Sequence, residues 1–163
     1  IILDAINLLP SEYKNYFSID FIGGGDGSYF KSFISKLEKL KNNYFNINYL
    51  GELSHDDLIK NLSTYDASLF ASSCEALPFT ILELHENDMP IIISDVSPMK
   101  DFFDDQIIKF NPLSPLSISL ALLRLFSKEI YSYNLSDYGV SLLNMSWKKY
   151  LFNLIKNFDD LKK

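Results

Sequence analysis

Short apolar runs alternate with longer segments of helical periodicity along this chain. The short runs predict strands at 18–23, 45–50, 67–71, 90–94 and 107–110. The other segments repeat apolar residues every three or four positions, which predicts helices at 1–10, 26–41, 54–63, 78–87, 98–103, 117–127, 136–144 and 146–158. Because strands that alternate with helices form βαβ units, the pattern predicts an α/β fold. The expected architecture is a Rossmann-like, three-layer α/β/α domain with a mostly parallel sheet.

Size and charge narrow the class of protein. A chain of 163 residues is the size of one domain with a substantial core, so 1–163 is predicted to be a single domain. The net charge of −6 at pH 7 argues against a nucleic-acid-binding protein, which would show a basic face. No apolar run approaches the roughly 18 residues that a membrane-spanning helix needs.

The first residues indicate a fragment of a longer protein. The chain opens at Ile1 without a methionine or a basic leader. The helix predicted at 1–10 also has no strand before it. We therefore expect that the first strand of the domain lies upstream of this sequence.

Two carboxylates flank the start of one predicted helix. Proline is tolerated at the first helical position, so Pro78 marks that start and leaves Glu75 in the preceding loop. Glu83 falls in the second turn and leans back toward the loop, because helical side chains tilt toward the N-terminus. Between the two acids lie the free N–H groups of the first turn, which can bind an anion. A nucleotide-linked sugar requires this combination, because carboxylates accept hydrogen bonds from its hydroxyl groups and N–H groups bind its phosphates.

Other candidate residues follow the ends of predicted strands. The glycines at 23–25, Gly51 and the loop at 72–75 all occupy such positions, and ligands of α/β sheets bind at the carboxyl ends of strands. The glycine run also allows a dinucleotide-binding interpretation, in which Glu52 would act as the ribose acid. That motif belongs in the first βαβ unit, however, and Asp26 would face the pyrophosphate.

Simpler interpretations exist for several polar residues. Glu75 is also consistent with a surface loop acid, whereas Glu83 is flanked by apolar residues and would need a partner if buried. His55 and His85 are too far apart in the sequence to indicate a metal site, and no metal site is predicted. Cys74 has no evident base partner and is expected to be a small buried residue rather than a nucleophile.

Motifs spread over nearly the whole chain resemble those of the donor-binding, C-terminal half of a GT-B glycosyltransferase of family 4, the "group 1" type. Glu75 and Glu83 reproduce the Glu-x7-Glu spacing of that family. The other similar motifs, in the family's order, are Phe21-Ile-Gly-Gly-Gly25, Tyr49-Leu-Gly51, Tyr65-Asp-Ala-Ser-Leu-Phe70, Ser72-Ser-Cys-Glu75, Pro90-Ile-Ile-Ile-Ser-Asp95 and Ser146-Trp147.

The resemblance implies a role for each candidate residue. Glu83 would bind the ribose hydroxyls, and Glu75 would contact the donor sugar in the catalytic site. The backbone of Leu77, Pro78, Phe79 and Thr80 would lie against the sugar and the diphosphate. Gly24 and Gly25 would border the diphosphate side of the cleft, and Gly51 and Leu53 would flank the base. The family uses a nucleotide diphosphate sugar as donor, with no cofactor and no bound metal, and retains the anomeric configuration.

Departures from the family pattern are also visible. The family's strand with an Arg and a Lys that clamp the diphosphate should precede Ile1, as should the N-terminal domain that binds the acceptor. The glycine that ends the helix after the second acid is replaced, and Asn87 or Asp88 can adopt its left-handed conformation at modest cost.

The resemblance also implies a setting and leaves alternatives open. The expected function is sugar transfer in polysaccharide or glycolipid biosynthesis. The expected location is the cytoplasm, at the inner face of the membrane, with any membrane contact made through the missing half. A nucleotide-sugar 2-epimerase of GT-B fold and a non-catalytic nucleotide-sugar-binding domain are the alternatives.

Overall fold

The computed structural model describes residues 1–13, 16–43, 46–76, 79–103 and 107–126. The strands are β1 Ser18–Ile22, β2 Asn46–Gly51, β3 Ser68–Phe70, β4 Ile91–Ser94 and β5 Ile108–Phe110. The helices are α1 Ile2–Asn7, α2 Gly27–Asn43, α3 His55–Asn61, α4 Phe79–Glu86, α5 Met99–Phe102 and α6 Pro115–Phe126, with 3-10 turns at Ser11–Tyr13 and Leu62–Thr64. The helices predicted at 136–144 and 146–158 lie outside the described residues.

All described strand pairs are parallel, as the βαβ pattern predicts. They form two groups, β1 with β2 and β3 with β4 and β5, so the expected single sheet is divided between β1 and β3. Tyr65, which precedes β3, donates a hydrogen bond from its hydroxyl to Asp20 Oδ2 in β1 at 2.9 Å. Asp20 Oδ1 accepts a second bond of 2.9 Å from Asn48 Nδ2 in β2. These contacts connect the two groups of strands through side chains.

Helices cover both faces of the strands. One apolar core joins α1, α2 and α6 to residues such as Ile47, Ile92 and Phe110. The other joins α4 and α5 to Ile91 and Ile93, with α3 packed at its border. Because successive side chains of a strand point to opposite faces, β4 contributes to both cores and is buried throughout. The arrangement is the predicted three-layer α/β/α fold.

Aromatic rings fix α2 against the first two strands. Phe33 contacts Phe21 and Tyr49 with ring centroids 5.2 and 5.9 Å apart, both edge to face. Phe30 lies 5.3 Å from Tyr49 and 6.2 Å from Phe33. Aromatic pairs at such distances add stability beyond their buried area. The start of α2, which follows the glycine run, is thereby held close to the carboxyl end of β1.

Local signals explain several helix ends. Ser54 caps α3 by accepting a bond from the Asp57 amide at 3.2 Å, as expected for a serine N-cap. Helix α6 begins at Pro115 rather than at the predicted Ser117, because Ser114 caps it through the Ser117 amide and proline suits the first helical position. Asp88 ends α4 in the left-handed region with φ 54°, which confirms one of the two predicted substitutes for glycine.

In the part of the chain that the structure describes, no helix combines the length and the apolar content that crossing a bilayer requires.

Candidate functional site

The ends of β1 and β2 form a shared rim. The Gly23 amide donates to the Gly51 carbonyl at 2.9 Å, and the Tyr49 hydroxyl donates to the Gly23 carbonyl at 2.7 Å. Gly51 adopts φ 75°, in the left-handed region that glycine enters without strain. The turn that leads from β2 toward Leu53, which is half-buried, is therefore fixed by hydrogen bonds and by backbone conformation.

The neighbouring glycines of the rim have different surroundings. A Cβ added at Gly24 would lie 3.3 Å from Glu52 Oε2, so Gly24 faces a carboxylate of the loop after β2. A Cβ added at Gly25 would lie 2.6 Å from Phe30 Cδ2 and would collide with the ring. Packing on Phe30 is thus sufficient to explain glycine at position 25, although both Gly24 and Gly25 are exposed at the rim.

The loop that carries Glu75 follows β3 and leads directly into α4. Ser72 organises its first turn, because its hydroxyl donates to the Cys74 carbonyl at 3.1 Å and accepts from the Cys74 amide at 3.4 Å. Glu75 is half-buried. Cys74 is exposed, so the prediction that it is buried was wrong: its side chain lies on a surface turn instead of packing into a core. Leu77 and Pro78 lie outside the described residues.

Helix α4 presents its first turn and Glu83 outward. Its buried side is formed by Ile81, Leu82 and Leu84, which pack into the core below. Phe79 and Thr80 are exposed at the beginning of the helix. The Glu83 side chain is 43% exposed, so the apolar neighbours in sequence do not bury it.

A contact that the sequence did not reveal joins Glu83 to the loop after β2. His55 Nε2 lies 3.5 Å from Glu83 Oε1, and His55 Nδ1 lies 4.0 Å from Asp56 Oδ1. His55 is the first residue of α3 and follows Leu53 by two positions. The structure therefore brings Glu83 next to the segment that contains Gly51 and Leu53, which the sequence placed in the same candidate site.

Several acids follow the carboxyl ends of strands. Glu52 follows β2, Glu75 follows β3, and Glu83 lies on α4, where it contacts His55. Within the described ranges, no group of three His, Cys, Asp or Glu side chains could hold a metal ion. This chemistry suits hydrogen bonding to hydroxyl groups, which carboxylates accept strongly. Glycine backbone at the same rim allows a ligand to approach closely.

A parallel α/β domain with its candidate ligand site at the carboxyl ends of the strands is the class that the fold and the rim define. The chain belongs to the family of glycosyl transferases group 1, whose family model matches residues 1–142. This finding confirms the resemblance stated from the motifs. The matched range includes each of the candidate site residues.

Individual relatives agree with the family. The chain is 28% identical over 149 residues to the capsular polysaccharide biosynthesis glycosyltransferase CapH of Staphylococcus aureus, covering 89% of this chain and 40% of CapH. It is 33% identical over 86 residues to the O-antigen biosynthesis glycosyltransferase WbnH of Escherichia coli, covering 51% of this chain and 22% of WbnH. The chain thus spans well under half the length of these curated relatives.

A solved structure supports the fold. Sucrose-phosphate synthase from Thermosynechococcus elongatus superposes with a TM-score of 0.66 at 13% sequence identity, covering 98% of this chain and 42% of that chain. The agreement confirms the Rossmann-like α/β fold as one half of a GT-B architecture.

Proposed function

We propose that this domain binds the nucleotide diphosphate sugar donor of a retaining glycosyltransferase, and that it supports sugar transfer to an acceptor in polysaccharide or glycolipid biosynthesis. The family supports the reaction class. The names of CapH and WbnH support a role in capsular polysaccharide or O-antigen synthesis. An acceptor domain from the same protein completes the site in this proposal. The reaction takes place in the cytoplasm at the inner membrane face.

The observation that carries this proposal is the position of Glu83. Its carboxylate is half-exposed and lies 3.5 Å from His55, beside the loop that leaves β2. Ribose hydroxyls donate to such a carboxylate, and the adjoining Gly51 and Leu53 offer backbone and apolar surface to the base. Because α4 is anchored by a buried apolar side, the carboxylate is presented from a rigid element.

The diphosphate occupies the beginning of α4 in this proposal. In this proposal the backbone of Leu77, Pro78, Phe79 and Thr80 lies against the sugar and the diphosphate, and the helix N-terminus favours negative charge. Gly24 and Gly25 border the same side of the cleft. As the glycosidic bond of the donor breaks, negative charge grows on the departing diphosphate, where fixed donors stabilise it most.

Glu75 orients the donor sugar and stabilises positive character at its anomeric carbon. Its loop leads into α4, so the sugar lies between this loop and the acceptor domain. No general base from this domain takes part, and the reaction uses no metal or cofactor in our proposal. The acids at the rim repel the diphosphate, which confines it to the helix tip and the glycine backbone.

Replacement of Glu83 by Gln tests the proposal. Calorimetry with UDP and with GDP on the full-length protein should show weaker binding for Glu83→Gln, because a charge-assisted bond to ribose is lost. Such bonds contribute about 1.5–3 kcal/mol, or roughly a 10- to 100-fold change in Kd. Glu86→Gln is the matched control, since Glu86 is an exposed acid on the same helix. Unchanged affinity for Glu83→Gln would remove this residue from the site.

Product analysis separates the proposed reaction from its alternatives. A transferase releases free nucleotide only when sugar appears on an acceptor. A nucleotide-sugar 2-epimerase inverts the configuration at C2 of the sugar and needs no acceptor. A binding domain that lost catalysis binds the donor and releases nothing.

A further inference from the structure

His55 bridges the two segments that flank the candidate nucleotide site. It begins α3, directly after the loop that leaves β2, and it contacts Glu83 on α4. We propose that His55 is a positioning residue for Glu83, holding one carboxylate oxygen so that the other faces the nucleotide ribose. The inference rests on the proposed function, because it assigns a task to a neighbour of the ribose-binding acid.

Among the described residues, His55 contacts one carboxylate oxygen of Glu83 and leaves the other available. His55 Nε2 lies 3.5 Å from Oε1, which is an ion-pair distance rather than that of a short hydrogen bond. The second carboxylate oxygen carries its own lone pairs and can accept from a hydroxyl. The other ring nitrogen of His55, Nδ1, lies 4.0 Å from Asp56 Oδ1, so acids face both edges of the ring.

Both partners are anchored by their helices. Ser54 caps α3 through the Asp57 amide at 3.2 Å, and its hydroxyl also donates to Asp57 Oδ2 at 2.6 Å. Helix α4 is held by the buried residues Ile81, Leu82 and Leu84. A contact between two fixed helices restricts the rotamers of Glu83 without moving the backbone. Restricting a ligand-binding side chain in its bound orientation strengthens binding, because less ordering remains to be done.

Exposure separates this role from one in folding. The side chains of His55 and Glu83 are 64% and 43% exposed, and ion pairs so exposed contribute little to protein stability. Loss of His55 should therefore leave the thermal unfolding temperature almost unchanged. The loss of His55 should instead lower the affinity for the nucleotide.

A double-mutant cycle in the full-length protein tests the inference, with calorimetry against UDP and GDP as the readout. His55→Ala should weaken binding about three- to tenfold, which is the scale of an interaction between neighbouring groups. His55→Gln should recover only part of that loss, because its amide can donate to the same oxygen but carries no charge. In a Glu83→Ala background, His55→Ala should cause no further loss. Lys60→Ala, at another exposed position on α3, is the control and should bind as the wild type does.

The outcomes distinguish the inference from the function on which it rests. Nucleotide affinity that depends on Glu83 but not on His55 overturns the positioning role and leaves the proposed function intact. An equal loss from His55→Ala with and without Glu83 also overturns the positioning role, because His55 would then act on the ligand directly. A wild-type protein that binds neither nucleotide overturns both.

Discussion

A single methyl group added at Gly25 probes why the rim of this domain carries glycine. The added Cβ would lie 2.6 Å from Phe30 Cδ2 and within 3.1 and 3.2 Å of two further ring atoms. Carbon atoms pack best at about 3.5–4.0 Å, so the ring must retreat by roughly 1 Å. Gly25 itself needs no left-handed conformation, since the positive φ angles of the run belong to Gly23 and Gly27. The cost of Gly25→Ala is therefore one of packing.

The ring of Phe30 has little freedom to retreat. It packs against Tyr49 with centroids 5.3 Å apart and against Phe33 at 6.2 Å. Overfilling a packed cluster costs about 1–3 kcal/mol of unfolding free energy. For a chain of 163 residues, that loss corresponds to a decrease of roughly 2–12 °C in Tm.

Unfolding in urea and by heat, followed by circular dichroism, measures this loss. Gly24→Ala is the neighbouring control, because its Cβ would meet only the flexible end of Glu52 at 3.3 Å, and its effect should stay within about 0.5 kcal/mol. Phe30→Leu combined with Gly25→Ala should lose less stability than the sum of the two single changes, since the smaller side chain makes room. A Gly25→Ala protein as stable as the wild type, or strictly additive losses, would refute the packing explanation.

Two further predictions concern titrating side chains. Burial raises the pKa of Tyr65, and the hydrogen bond to Asp20 raises it further. Because the native state therefore favours the protonated phenol, the unfolding free energy should fall above about pH 10. This fall should be steeper in the wild type than in Tyr65→Phe. Absorbance titration of the phenols together with urea unfolding checks this, and parallel pH curves would contradict it. The hydrogen bond from Lys36 lowers the pKa of Asp4, so the small stabilisation that it gives should be present above the unfolded pKa of about 4 and be lost as pH falls below it. Carboxyl NMR titration should show the Asp4 pKa rising toward its ordinary value in Lys36→Gln, and an unchanged titration would exclude this pairing.

Most of the described fold could be predicted from hydrophobic periodicity. The observed strand bounds differ from the predicted ones by one residue at most, and the helix predicted to start at position 54 does have its N-cap there, because a serine cap is a local signal. The start of α6 was placed two residues late, although Ser114 and Pro115 carry the usual cap and first-turn signals. Periodicity could not reveal that the strands form two groups, since pairing depends on contacts between distant segments.

The candidate site was only partly accessible to sequence reasoning. Strand ends predicted that Gly24 and Gly51 lie at one rim, because carboxyl ends of parallel strands share an edge. The pairing of His55 with Glu83 could not be predicted, since it joins helices that tertiary packing alone brings together. The packing of Gly25 against Phe30 is likewise a three-dimensional contact, and a run of glycines in the sequence does not predict it. The ligand contacts assigned to Glu75, Glu83 and their neighbours stay predictions.

Among the described residues, β1 and β3 belong to different groups of strands, and no backbone pairing joins them. Asp20 carries its carboxylate in the middle of β1, held there by Tyr65 and Asn48. Loss of this carboxylate would therefore remove the acceptor of both Tyr65 and Asn48 and would weaken the contact between the two groups of strands.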